Sequence, residues 1–87
     1  IGMEVRLTKS FTKDYRRLPK RLQVLVDNKL FLLLENSRHP SLGIKKMAGF
    51  DYIWEAKVTK GYRFTFQIEE QTYLIRRVGP HDILRSP

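Results

Sequence analysis

Lys57, Arg63, one of the adjacent pair Arg76 and Arg77, and His81 are the residues whose types and spacing point to chemistry. Arginine binds phosphate through two parallel N–H groups and can stabilise the charge that builds on a pentacoordinate phosphate. An imidazole is suited to moving protons near neutral pH, which makes His81 a candidate general acid or base. Metal-free RNA cleavage uses such a kit. A base activates the 2′-hydroxyl, cations hold the phosphate in line, and an acid protonates the leaving 5′-oxygen. Lys45, Lys46 and Arg85 add cations that could track an RNA backbone. Each residue also has a plainer reading. Arg63 can be a solvated arginine on an exposed strand face, and Lys45 and Lys46 can serve solubility. His81 can be a turn residue, with Asp82 capping a short terminal helix. Glu55 fits a partner of Lys57 or Arg63 better than a base.

The elements that would position these residues follow from periodicity. Tyr62 to Ile68 alternates, with Tyr62, Phe64, Phe66 and Ile68 on one side and Arg63, Thr65 and Gln67 on the other. Such alternation marks a strand with one buried face and one face free for work. Gly61 and Glu69-Glu70-Gln71 read as turns, so Ile53–Val58 and Thr72–Val78 become flanking antiparallel strands of a meander. Trp54 then faces the core, and Lys57 shares the side of Arg63. Upstream, Met3–Leu7 alternates as a first strand, and Ser10 reads as the N-cap of a short helix placing Phe11, Tyr15 and Leu18 on one face. Pro19 fits the first turn of a second helix running to about Asn36 and burying Leu22, Leu25, Val26, Leu30, Leu33 and Leu34. Phe31 and Leu32 widen its apolar stripe, so it either packs between two elements or shows a patch to a partner. Pro40 ends this region, and residues 41–51, with Lys45 and Lys46, read as a loop. The order predicts an α+β fold: a strand and a two-helix hairpin on one face of a small, mainly antiparallel sheet.

Composition narrows the partners. The 87 residues suffice for one core, read as a single domain over 3–87, with Ile1-Gly2 as cloning residues ahead of a natural start at Met3. Seventeen Lys plus Arg against nine Asp plus Glu leave a charge of +8, which speaks to partners more than to fold. Nucleic acid is the expected partner, ahead of an acidic protein or a membrane surface. The absence of cysteine excludes disulfides and thiolate chemistry and fits a reducing cytoplasm. The first residues do not read as a charged-then-apolar leader, and the sequence shows no apolar span, no phosphate-binding glycine loop and no His cluster at metal spacing. Neither a metal, a small-molecule cofactor nor a membrane is therefore expected.

The stretch Ile53-Trp54-Glu55-Ala56-Lys57-Val58-Thr59-Lys60-Gly61-Tyr62-Arg63-Phe64 resembles the W-E-x-x-V-x-x-x-Y-R core of the RelE/ParE toxin superfamily. Arg76-Arg77-Val78-Gly79-Pro80-His81-Asp82 resembles its final strand and V-G-x-H-D tail, and Ser37 to Gly49 its helix-to-sheet linker. The resemblance runs through essentially the whole chain and is nearest to RelE-like members. It implies a toxin of a type II toxin–antitoxin pair that cleaves ribosome-bound mRNA without metal. Arg63 would then contact the scissile phosphate, and His81 would be the acid. Lys45, Lys46, Lys57, Arg76, Arg77 and Arg85 would contact RNA. An antitoxin would lay a helix in an apolar groove and mask the basic face with acidic residues. Two features depart from the pattern. Ile53 and Glu55 stand where RelE carries lysines, and the tyrosine-bearing terminal helix of RelE has no counterpart here. ParE-type members share the fold and inhibit DNA gyrase without catalysis. The resemblance thus leaves three functions open: ribonuclease, gyrase inhibitor, or a decayed toxin that still binds its antitoxin.

Overall fold

The computed structural model describes residues 2–87. In chain order these form β1 (Glu4–Leu7), α1 (Lys9–Arg16), α2 (Lys20–Glu35), a 3-10 turn (Pro40–Leu42), β2 (Lys45–Lys46), β3 (Trp54–Lys57), β4 (Tyr62–Glu69), β5 (Thr72–Pro80) and a terminal 3-10 helix (His81–Arg85). The sheet order is β1-β5-β4-β3-β2, with β1 parallel to β5 and every other pair antiparallel. This is the predicted α+β architecture.

The helix starts differ from expectation. Thr8, not Ser10, caps α1: its Oγ1 accepts from the Phe11 N–H at 3.1 Å. The same hydroxyl lies 2.9 Å from the Ile75 carbonyl oxygen and 3.0 Å from that of Arg76. Thr8 is where the chain leaves the edge of β5, so a single residue ends the strand and begins the helix. Pro19 occupies the N-cap of α2 and brings no side-chain cap. Its carbonyl accepts from Leu22 and Gln23.

One main core lies between the helices and the sheet. Phe11, Val26, Leu33, Phe64, Phe66, Ile75 and Val78 are all at most 2% exposed. Burying each such side chain is worth about 1.5–3 kcal/mol. Leu25, Leu30 and Leu32 pack partly against this cluster. On α2, Leu34 is 44% and Phe31 65% exposed, so the second half of the helix shows an apolar patch outward. Ile68, expected inside, is exposed near the tip of the β4–β5 hairpin.

Two local features shape the opposite face of the sheet. Lys45 and Lys46 form an edge strand rather than a loop, pairing with Glu55 and Trp54. In β5 a bulge puts one extra residue opposite β4. Phe64 pairs with Val78, Thr65 with Arg77, and Phe66 with Ile75. Ile75 and Val78 are both buried against the core, so the two residues between them stand on the Thr65 side. Strict alternation would have sent one arginine into the core.

Candidate functional site

Register brings most of the predicted residues onto that face. Lys45, Glu55, Thr65 and Arg77 form one cross-strand row, and Lys57, Arg63 and Gly79 the next. Lys46 pairs with Trp54 and so belongs to the helix side of the edge. Lys45, Lys46, Lys57, His81 and Arg85 are exposed. Among the described residues none of these five has an ion pair or an acceptor for its side chain. His81 opens the terminal 3-10 helix directly after Pro80, which pairs with Tyr62, the neighbour of Arg63. Asp82 makes no cap there, because Pro80 holds the N-cap position without a side-chain bond.

Arg63 is not the solvated arginine of the plainer reading. Its Nη1 donates to the carbonyl oxygens of Thr59 at 2.7 Å, Lys60 at 2.9 Å and Tyr62 at 3.1 Å. Its Nε lies 3.7 Å from Glu55 Oε1, and the two side chains are only 17% and 10% exposed. The guanidinium therefore staples the β3–β4 turn and neutralises Glu55. Nη2 has no partner among the described residues.

Arg76 and Arg77, undivided by the sequence, part company in the structure. Arg76 donates from Nη1 to Gln67 Oε1 and from Nε to the Pro87 carbonyl oxygen at 3.1 Å. The Thr65 hydroxyl, fully buried, donates to that same oxygen at 3.0 Å. Arg77 reaches the other way and grips Asp14 of α1 with two bonds, Nε to Oδ2 at 2.7 Å and Nη2 to Oδ1 at 3.1 Å. Asp14 holds this guanidinium's pKa above its ordinary value, first by hydrogen bonding and against the effect of burial. Asp14 Oδ2 also accepts from the Val78 N–H at 3.2 Å, serving the edge of β5 beyond the end of β1.

The face expected to be free is thus partly occupied. Ile83 is buried and leans on Gly79, where an added Cβ would come within 2.7 Å of Ile83 Cγ2. Pro87 is buried over Thr65 and Arg76, and Arg77 Nη1 donates to the Ser86 carbonyl oxygen at 3.1 Å. Thr65, Gln67 and Asp14 are the residues that sequence reading passed over. Alternation does place Thr65 and Gln67 beside Arg63, but nothing local marks Asp14, 63 positions from its partner.

A second concavity, of about 430 Å³, lies between α1, α2 and the end of β1. Leu7, Phe11 and Leu30 give it an apolar floor, and Tyr15, Arg16 and Asp27 a polar rim. The Tyr15 hydroxyl donates to Asp27 Oδ1 at 2.6 Å, and this bond chiefly raises the phenol's pKa.

The family model for the ParE toxin of type II toxin–antitoxin systems (parDE) matches residues 5–84, and the chain belongs to that family. Solved structures agree on the fold. A chain of the E. coli DinJ–YafQ toxin–antitoxin complex superimposes with a TM-score of 0.80 at 17% identity, covering 97% of this chain and 98% of that one. A mutant of E. coli RelE in the free state gives 0.75 at 20% identity, covering 99% and 93%. The RelB–RelE complex of Methanococcus jannaschii gives 0.73 at 21%, covering 92% and 94%. No curated protein matches by sequence. The resemblance to the RelE/ParE superfamily is borne out.

Proposed function

We propose that this toxin is a metal-independent endoribonuclease that cleaves mRNA on the ribosome, with the sheet face around Arg63 as its site. The observation that carries the reading is the row Lys57–Arg63–Gly79, which leads through Pro80 to His81. Lys57 and Arg63 share that row, and the exposed His81 follows two residues after Gly79. Arg63 Nη2 and Lys57 would hold the scissile phosphate, and pinning Nη1 to three carbonyls preorganises that contact. His81 would protonate the leaving 5′-oxygen. Lys45, Lys46, Arg85, Arg76 and Arg77 would hold the RNA backbone, the last two after the terminal carbonyls of Ser86 and Pro87 yield their places. No cofactor enters this scheme. A cognate antitoxin would seat a helix in the apolar groove of α1 and α2 and cover the cations with acidic side chains, and the pair would act in the cytoplasm.

One observation favours a second reading. Glu55 sits against Arg63, and a cation committed to its own turn and to a carboxylate suits a non-catalytic, ParE-like gyrase inhibitor or a decayed toxin. The test is primer extension on mRNA from ribosomes incubated with the purified toxin. Cuts at A-site codons that vanish with Arg63→Ala are expected. His81→Gln should slow cutting by about 10²–10⁴-fold, the usual worth of a general acid, while ribosome binding holds. Growth arrest without cuts would move the assignment to gyrase, read by a supercoiling assay. Equal losses of cutting and binding would make His81 a binding residue.

A further inference from the structure

Lys20, Val24, Asp27, Phe31 and Leu34 follow one another along α2 at alternating steps of four and three residues. That spacing keeps side chains in one line down a helix, as in the seam of a coiled coil. All five are exposed. Val24, Phe31 and Leu34 are half of the large exposed apolar side chains among the described residues, and they share this one line. Single exposed apolar residues need no explanation, whereas an aligned set marks an interaction surface. The groove between α1 and α2 does not take in this line. On α2 it is lined by Gln23, Asp27 and Leu30, and it meets the seam only at Asp27, whose carboxylate accepts from Tyr15.

The charges of α2 say what partner fits. Lys20 and Arg21 open the helix and Glu35 closes it, and among the described residues none of the three has an ion pair. The first turn holds no acid and the last turn no base, so both ends oppose the helix's own dipole. An identical helix laid antiparallel across this face corrects both ends. Each Glu35 comes to the Lys20 and Arg21 of the other copy, and each Val24 to the other's Phe31. Positions 20 and 35, like 24 and 31, lie equally far from the midpoint between Asp27 and Asn28. A parallel pair would instead set like charges together at both ends. The seam is complementary to itself about a two-fold axis, which is what an isologous dimer requires.

We propose that the free toxin self-associates through α2, seam against seam, with the two helices antiparallel. The helices lie on the opposite side of the sheet from Arg63, so both copies keep the cationic face open. A helix pair about 24 Å long buries less than a standard interface, and the dimer is reversible. An antitoxin helix in the neighbouring groove would meet the second copy at Asp27 and compete with it. The inference is independent of the ribonuclease reading, because this face takes no part in that chemistry.

Sedimentation equilibrium of the full chain over about 1–200 μM tests the proposal. The wild type should pass reversibly from monomer to dimer. Phe31→Ser should weaken the dimer at least about ten-fold with no fall in melting temperature, since the side chain is exposed. Lys20→Glu/Arg21→Glu and Glu35→Lys should each weaken it about 3- to 10-fold by setting like charges together. The first should do so although it lowers the net charge, which by itself would favour association. Lys20→Glu/Arg21→Glu/Glu35→Lys should recover most of the wild-type affinity, because the ends are complementary again with their signs exchanged. A wild type that stays monomeric would overturn the proposal, as would a dimer that Phe31→Ser leaves intact. A triple variant as weak as its parents would overturn the antiparallel arrangement. A monomeric wild type whose antitoxin binding falls with Phe31→Ser would overturn the dimer and give the seam to the antitoxin.

Discussion

The Arg63 guanidinium commits Nη1 and Nε to contacts within the protein. Nη1 closes the β3–β4 turn, Nε faces Glu55 at 3.7 Å, and Nη2 is open. Two consequences follow at this scale. Removing the side chain releases three carbonyl acceptors, so Arg63→Ala should cost about 1–3 kcal/mol of stability as well as activity. A denaturant titration must therefore accompany any activity assay on it. Glu55 in turn repels the phosphate that Arg63 would attract. Glu55→Gln should tighten binding of a short RNA about 3- to 10-fold, or roughly 1 kcal/mol, measured by fluorescence anisotropy. Were binding to hold while cutting collapsed, Glu55 would be the base instead of a counter-ion. The pairing itself was legible, because Glu55 and Arg63 fall on one face of neighbouring strands. The commitment of Nη1 was not, since no residue pattern announces a side chain that returns to its own turn.

At the scale of elements, the terminal 3-10 helix and Pro87 cover part of the face. The helix is anchored at Gly79, where the missing Cβ leaves room for Ile83, and at Pro87, which takes bonds from Thr65 and Arg76. An added methyl at Gly79 would clash with Ile83 Cγ2 at 2.7 Å and force the helix outward. Gly79→Ala should destabilise the fold by about 1–3 kcal/mol, as overpacking does. Pairing it with Ile83→Ala should recover part of that loss in a double-mutant cycle read by thermal unfolding. Additive losses would mean that the clash is relieved elsewhere. The helices and strands were readable from spacing because their apolar periods match their burial. Phe64 and Phe66 are inside, as are Val26 and Leu33. The bulge, the Thr8 cap and the docking of Pro87 were not readable. Thr8 is fixed by Ile75, 67 positions on, and Pro87 by Thr65, 22 positions back, while the bulge is a register shift between β4 and β5. A period of two cannot show where a strand gains a residue, and so the sequence left Arg76 and Arg77 undivided.

Across the whole molecule, α1 joins two surfaces of opposite character. Its buried Phe11 also floors the apolar groove, its Asp14 grips Arg77 at the sheet edge, and its last turn carries Lys13 and Arg16. The groove does not exhaust the apolar exposure, because Val24, Phe31 and Leu34 stand out along α2, with Phe31 65% exposed. Side chains so placed give an isolated toxin little stability and invite a covering helix, which would also dilute the +8 charge if it were acidic. Phe31→Ser should therefore change the unfolding free energy of the toxin alone by no more than about 0.5 kcal/mol, as surface substitutions do. Affinity for the cognate antitoxin, measured by calorimetry on the refolded pair, should fall at least about ten-fold if Phe31 anchors the interface. Unchanged affinity would place the antitoxin on the cationic sheet face without α2. The same result would leave the α2 patch for a second copy of the chain, which sedimentation of the free toxin would reveal.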